Sequence, residues 1–287
     1  MRLATFQTHD RETYGVVRED GIVDLGVRLD KKYPTLKSLI AAGFSAELDQ
    51  AARGPADFEE AAISYLPPIT DPARIWCLAL NYVEHHGEVQ TAGRVQELPK
   101  QPALFMRCAD SLTGHRQPIL LPGVSEQLDY EGELAVVIGK RGRHISEADA
   151  LSHIAGYTIM NEGSVRDWQF HTRQITPGKN FYHSGAIGPW IVQRADIPDP
   201  HDLRIKTTIN GQVVQDGTTG DMVHKIERFI AYVSMICPLA PGDILSTGTP
   251  SGVGFSRKPP LWLKPGDVCE VSIAGIGALS NRVQRDD

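Results

Sequence analysis

The chain has 287 residues, 41% of them hydrophobic and 22% charged, a composition of globular type and long enough to bury a large core without disulfides or a structural metal. Its net charge of −6, with Lys and Arg spread among the acids, argues against nucleic acid or an anionic membrane as the main partner, since both require a basic face. Four cysteines stand far apart with no CxxC pair and read as reduced thiols, no stretch approaches a membrane span, and the N-terminus MRLATFQTHD shows no signal-peptide pattern, so the sequence reads as cytoplasmic.

In chain order, residues 1–65 alternate short strands with turns: RLATFQ, YGVVRED and GIVDLG, the last two joined through Asp20-Gly21. A helix is expected over PTLKSLIAAGF, followed by an Ala- and Glu-rich segment to Ser64. This portion has no clustered carboxylates and reads as a small scaffold domain. The proline-rich stretch from Leu66 to Ala73 suits a stiff linker. Beyond it apolar strands dominate: RIWCLALNY, PALFMRC, LAVVIGK, AGYTIMN, GPWIVQ, LRIKTTING and CEVSIAGIGAL. Helices are isolated: SEADALSHI, capped by Ser146 with Asp149 three positions on; SVRDWQFH; and DMVHKIERFIAYVSMI, apolar at Met222, Ile226, Phe229 and Val233. Many strands, few helices and no regular β-α alternation predict an α+β fold, not a doubly wound one.

The stretch LDYEGELAVVIG is the most informative for chemistry. Side chains alternate along a strand, so Glu131 and Glu133 project from one face. Two carboxylates this close repel unless a cation or a proton lies between them, and oxygen-only ligands suit Mg²⁺ or Mn²⁺. An isolated E-x-E is more often a solvated strand end. Here, however, a further acid, Glu162, ends the apolar strand GYTIMN and is followed by Arg166 and Gln169, three apart on one helical face. In NYVEHHGE, His85 and Glu88 are one helical turn apart, a spacing at which the carboxylate can orient the imidazole. The polar run VQTAGRVQELPKQ after them has the composition of a lid. PGDILSTGTPSGVG runs from a strand into a glycine-rich loop without the Lys-Ser/Thr ending of a phosphate loop.

Taken together and in order, NYVEHHGE, PALFMRCADSLTG, DYEGELAVVIGKRGRHIS, GYTIMNEGSVRDWQ, PGKNF, INGQVVQDGTTGDMV, LAPGDILSTGTPSGVG and GIGALSNRV resemble the fumarylacetoacetate hydrolase family over residues 74–284. The resemblance implies a mixed β-rich roll for residues 74–287, a linker over 66–73, a small N-terminal α+β domain over 1–65, and a homodimer. It implies that Glu131, Glu133 and Glu162 ligate Mg²⁺ (Mn²⁺ or Ca²⁺ being compatible). The catalytic residues would be His85, Glu88 and Lys179, and the substrate contacts Arg166, Gln169 and Thr249. The third ligand of the family is usually Asp after Asn; here Asn161 precedes Glu162, whose extra methylene has to be accommodated. The reaction implied is hydrolysis of a carbon–carbon bond in an acylpyruvate-like 2,4-dioxo acid, with His85 activating the water and the metal and Lys179 stabilising the enolate that leaves. The same chemistry also serves decarboxylation of oxaloacetate-like acids and isomerisation or tautomerisation of an unsaturated 2-oxo acid. A non-catalytic metal-binding relative is the reading of a different class, disfavoured by the complete set of site residues.

Overall fold

The run Leu134–Ile138 offers no polar side chain to solvent on either face, and the fold places it accordingly. In the computed structural model, which describes residues 1–29, 31–83 and 100–286, strand Gly132–Ile138 is buried throughout and lies between strands Ile154–Asn161 and Ile244–Ser246. Alternation divides its side chains between two cores. Leu134, Val136 and Ile138 join a cluster with Ile205, Val271 and Leu279 of a second sheet, whereas Ala135 and Val137 join one with Leu3, Leu39, Ile187 and Ile191.

The large sheet runs, from one edge, Gly21–Asp24, Glu12–Arg18, Arg2–Gln7, Gly185–Gln193, Ile154–Asn161, Gly132–Ile138, Ile244–Ser246, Ile75–Ala79 and Ala103–Arg107. The second sheet has five strands, with Gly277–Asp286 between Val268–Ile273 and Ile119–Pro122. Most pairings are antiparallel, but Ile244–Ser246 runs parallel to Ile75–Ala79 and Gly277–Asp286 parallel to Ile119–Pro122. The result is the mixed, sheet-rich α+β architecture expected. The first 65 residues are continuous with this sheet through Arg2–Gln7, which pairs with Gly185–Gln193, and their helix Leu36–Ala42, closed by a Thr35–Ser38 capping box, packs into the second core.

Several expected elements differ in the structure; SVRDWQFH, expected as a helix, is the strand Ser164–Val165 followed by a helix over Arg166–Gln169 alone. CEVSIAGIGAL is two strands, because Ile276 N–H bonds back to Ile273 and turns the chain at Gly275 (φ +77°). The expected helix DMVHKIERFIAYVSMI begins only at Ile226. Asn81 is bonded to the backbone just ahead of it. Its Oδ1 accepts from His224 N–H (2.7 Å), its Nδ2 donates to the His224 and Thr247 carbonyls, and its own carbonyl accepts from Val223 N–H. These bonds fix the backbone just ahead of Lys225, whose extended conformation (φ −66°, ψ 162°) marks the start of the helix.

Gly163 follows Glu162 where the chain crosses the start of Gly185–Gln193, and a Cβ there would lie 1.8 Å from the Ser184 carbonyl oxygen. Gly163→Ala therefore forces backbone apart beside a candidate ligand. Its expected cost is about 2 kcal/mol of unfolding free energy, read by denaturant titration; unchanged stability would contradict this packing.

Candidate active site

Antiparallel pairing brings the acids together. Gly132 and Glu133 lie opposite Asn161 and Met160, and the pairing extends one step further, Glu162 N–H donating to the Glu131 carbonyl at 2.8 Å. Asn161 adds a side-chain bond from Glu131 N–H to its Oδ1. Thus the family-derived triad converges: oxygen atoms of Glu131, Glu133 and Glu162 all lie within 4.8 Å of one another, and all three residues are buried.

Such a cluster is unfavourable without counter-charge. Lys179 Nζ donates to Glu131 Oε2 (2.7 Å) and Glu162 Oε2 (2.5 Å), and sits 5.2 Å from the Phe105 ring centre. Arg166 donates to Asp129, to Glu131 Oε1 (2.6 Å) and to Gln169 Oε1, its guanidinium lying over Phe255. Glu133 makes no ion pair among the described residues. It is held by the Ser246 hydroxyl (2.6 Å) and Gly248 N–H (2.9 Å), both on Oε2. Burial, reinforced by Glu162 and Glu131, pushes the Glu133 carboxyl well above its ordinary range. Burial also raises Glu162, with Lys179 opposing and Glu131 adding to the shift. For Lys179 burial works against the charge, but Glu131 and Glu162 outweigh it and its pKa rises.

Three hard oxygen donors converging on one point fit a divalent cation of the Mg²⁺ or Mn²⁺ kind. They open onto a cavity of about 420 Å³ that Arg166, Gln169, Arg173, Lys179, Thr249 and Phe255 also line. Of the sequence-derived residues, Glu131, Glu133, Glu162, Arg166, Gln169, Lys179 and Thr249 therefore share one cavity. Thr249 is less available than expected: its hydroxyl donates to the Gly132 carbonyl and accepts from Gln215, leaving one lone pair. His85 and Glu88, and most of the run read as a lid, lie outside the described residues.

Sequence reading passed over two buried groups. Asp129 (0% exposed) anchors Arg166 and accepts from Gly254 and Phe255 N–H; the same alternation that singled out Glu131 and Glu133 reaches it two residues earlier. Arg107, buried behind Glu162, had a fainter signal, a charge ending the apolar run PALFM.

A sheet-rich α+β fold with a buried acidic triad lining a cavity defines a class of protein with a site for small molecules. The sequence pattern described as fumarylacetoacetate (FAA) hydrolase C-terminal matches residues 74–284, and the chain belongs to the fumarylacetoacetate hydrolase family. It is 40% identical over 295 residues, covering 99% of this chain and 90% of the relative, to a mitochondrial oxaloacetate tautomerase of Xenopus laevis. Among solved structures, the fumarylacetoacetate hydrolase of Exiguobacterium antarcticum matches with a TM-score of 0.86 at 33% identity, covering 100% of both chains. The maleylpyruvate hydrolase of Sphingobium sp. SYK-6, solved with manganese(II) and pyruvate, matches with a TM-score of 0.82 at 28% identity and the same coverage.

The raised carboxyls set a pH dependence. A carboxyl whose folded pKa exceeds its unfolded value stabilises the fold below the unfolded pKa, and that contribution is lost as pH rises through the folded value. For Glu162 that value is about 7. The melting temperature of protein kept in chelator is expected to fall as pH rises from 5 to 8, and saturating Mn²⁺ to remove the fall. A flat profile in chelator would contradict the burial of ionisable charge described.

Proposed function

We propose that this chain is a divalent-metal-dependent tautomerase that interconverts the keto and enol forms of a 2-oxo dicarboxylic acid of the oxaloacetate type. The observation that carries the reading is the triad Glu131, Glu133 and Glu162 facing a cavity it shares with Lys179 and two arginines. The extensive similarity to an oxaloacetate tautomerase supports the choice of reaction.

Held by the three glutamates, a cation of the Mg²⁺ kind supplies Lewis acidity to the oxygens of a bound 2-oxo acid. The chain supplies the rest. Lys179 has three N–H groups, two of them committed to Glu131 and Glu162; the third is free to donate to the oxygen that becomes negative as the neighbouring carbon loses its proton. Gln169 gives its oxygen to Arg166, which turns its amide N–H groups outward to take a carboxylate oxygen. In this reading His85, oriented by Glu88, is the base that exchanges the carbon-bound proton. The apolar wall that includes Phe105 and Phe255 limits water around these donors and strengthens each bond they make.

Charge selects the substrate class. Among the described lining residues, three carboxylates are balanced by Arg166, Lys179 and Arg173, so a divalent ion leaves two positive charges for the substrate to neutralise. A 2-oxo diacid does so. Arg173 is the one of these three cations with no carboxylate partner among the described residues, and it lies on the exposed segment between Gln169 and Lys179. It is assigned to the distal carboxylate.

A second reading is hydrolysis of a carbon–carbon bond in an acylpyruvate, favoured by the same apolar wall and by the fold shared with a maleylpyruvate hydrolase. One assay separates the two. With Mn²⁺ and oxaloacetate, tautomerisation consumes the enol absorbance without release of carbon dioxide, whereas hydrolysis appears only with acylpyruvates, as a second carboxylic acid. Metal-dependent cleavage of acylpyruvates with no acceleration of oxaloacetate tautomerisation would replace the first reading by the second. Arg173→Ala is expected to raise KM for the diacid about tenfold, the loss of one exposed charge-assisted hydrogen bond, with little change in kcat; an unchanged KM would remove Arg173 from substrate binding.

A further inference from the structure

Arg107 ends strand Ala103–Arg107 with its guanidinium fully buried, and all five of its N–H groups are committed. Nε donates to Ser111 Oγ (3.0 Å); Nη1 donates to Glu162 Oε1 (2.5 Å) and the Gly163 carbonyl (2.9 Å); Nη2 donates to the Ser111 carbonyl and Ser184 Oγ, both at 3.2 Å. Ser111 Oγ in turn donates to the Cys108 carbonyl (2.7 Å), so its lone pair is fixed toward Nε. The guanidinium is thus keyed to three chain segments before it reaches Glu162. Lys179 takes the other oxygen of the same carboxylate, and Arg107 is not among the cavity-lining residues.

We infer that Arg107 is a positioning residue: it fixes the orientation of the Glu162 carboxylate, so that this long side chain can act as the third ligand of the divalent-cation site. The inference rests on the reading of Glu131, Glu133 and Glu162 as that site. A glutamate has one more rotatable bond than an aspartate, and ordering it costs side-chain entropy at the moment of binding. One Nη1 bond on one oxygen, from a planar guanidinium fixed by its four other bonds, and an ammonium on the other remove that freedom beforehand, and only a guanidinium can hold Glu162, Gly163, Ser111 and Ser184 together.

Sign separates positioning from charge. A buried cation behind a ligand repels a divalent ion, so if Arg107 acted through charge alone, its removal would tighten metal binding and a lysine in its place would change nothing. Positioning predicts weaker binding in both cases. The experiment is titration of the metal-free full chain with Mn²⁺, followed by electron paramagnetic resonance of the free ion, for wild type, Arg107→Lys and Arg107→Met. The melting temperature without metal is recorded in parallel. Arg107→Lys keeps the charge and loses the fork; its Mn²⁺ affinity is expected to fall 10–100-fold, the usual range for partners that orient a ligand, and Arg107→Met to fall at least as far. Affinity within twofold of wild type for Arg107→Lys, or tighter binding by Arg107→Met, overturns the inference. If both variants fail to fold, Ser111→Ala combined with Ser184→Ala leaves Arg107 on Glu162 but removes its two hydroxyl anchors, with the Ser111 and Gly163 carbonyls still in place. A fall of about tenfold then supports the inference, and unchanged affinity overturns it. Absence of Mn²⁺ binding by the wild type would instead refute the cation site itself.

Discussion

The structure depends on one electrostatic constraint: three carboxylates are held within reach of one another where water is scarce. Such a cluster persists only if every oxygen is met by a proton, a cation or a dipole. The chain meets them asymmetrically. Glu131 and Glu162 share Lys179 and each has an arginine of its own, whereas Glu133 receives a hydroxyl and a backbone N–H on one oxygen. Two of the proposed ligands are thereby held by cations and the third by neutral donors. This is a division suited to capturing an ion at low reorganisation cost.

The β framework makes the cluster possible. Glu131 and Glu162 are neighbours because their strands are, and those strands are locked between two apolar cores. The charged layer is therefore carried on the most rigid part of the molecule, while the residues proposed to select substrate, Gln169 and Arg173, lie on short helices and turns at the rim. Rigid chemistry with adjustable selection is consistent with one family supporting tautomerases and hydrolases alike.

Much of this was legible in the sequence because the signals were local. Alternation placed Glu131 and Glu133 on one face, the apolar runs marked the central strands, and the order of motifs supplied the family. Apart from Asp129, a local signal passed over, what escaped notice depended on distance in the chain. Arg107 and Glu162 are 55 residues apart, and no periodicity announces such a pair. The bonds that tie the backbone ahead of the helix at Ile226 to the side chain of Asn81, 143 residues before His224, escaped for the same reason. The partners of the Thr249 hydroxyl were not legible, because motif matching identifies a hydroxyl without showing what it bonds.

Asn81 has a mechanical meaning as well. Its one amide group ties the carbonyl of Thr247, two residues before Thr249, to the backbone of His224, and it directly follows the cavity-lining Leu80. Gly248, with φ +91°, packs so closely that an added Cβ would lie 2.9 Å from Asn81 Cβ. Three stretches of chain remote in sequence are riveted at this point, so that part of the rim behaves as a single hoop. A push on any one of them is shared by the others, and the opening above the acids changes as a unit or hardly at all.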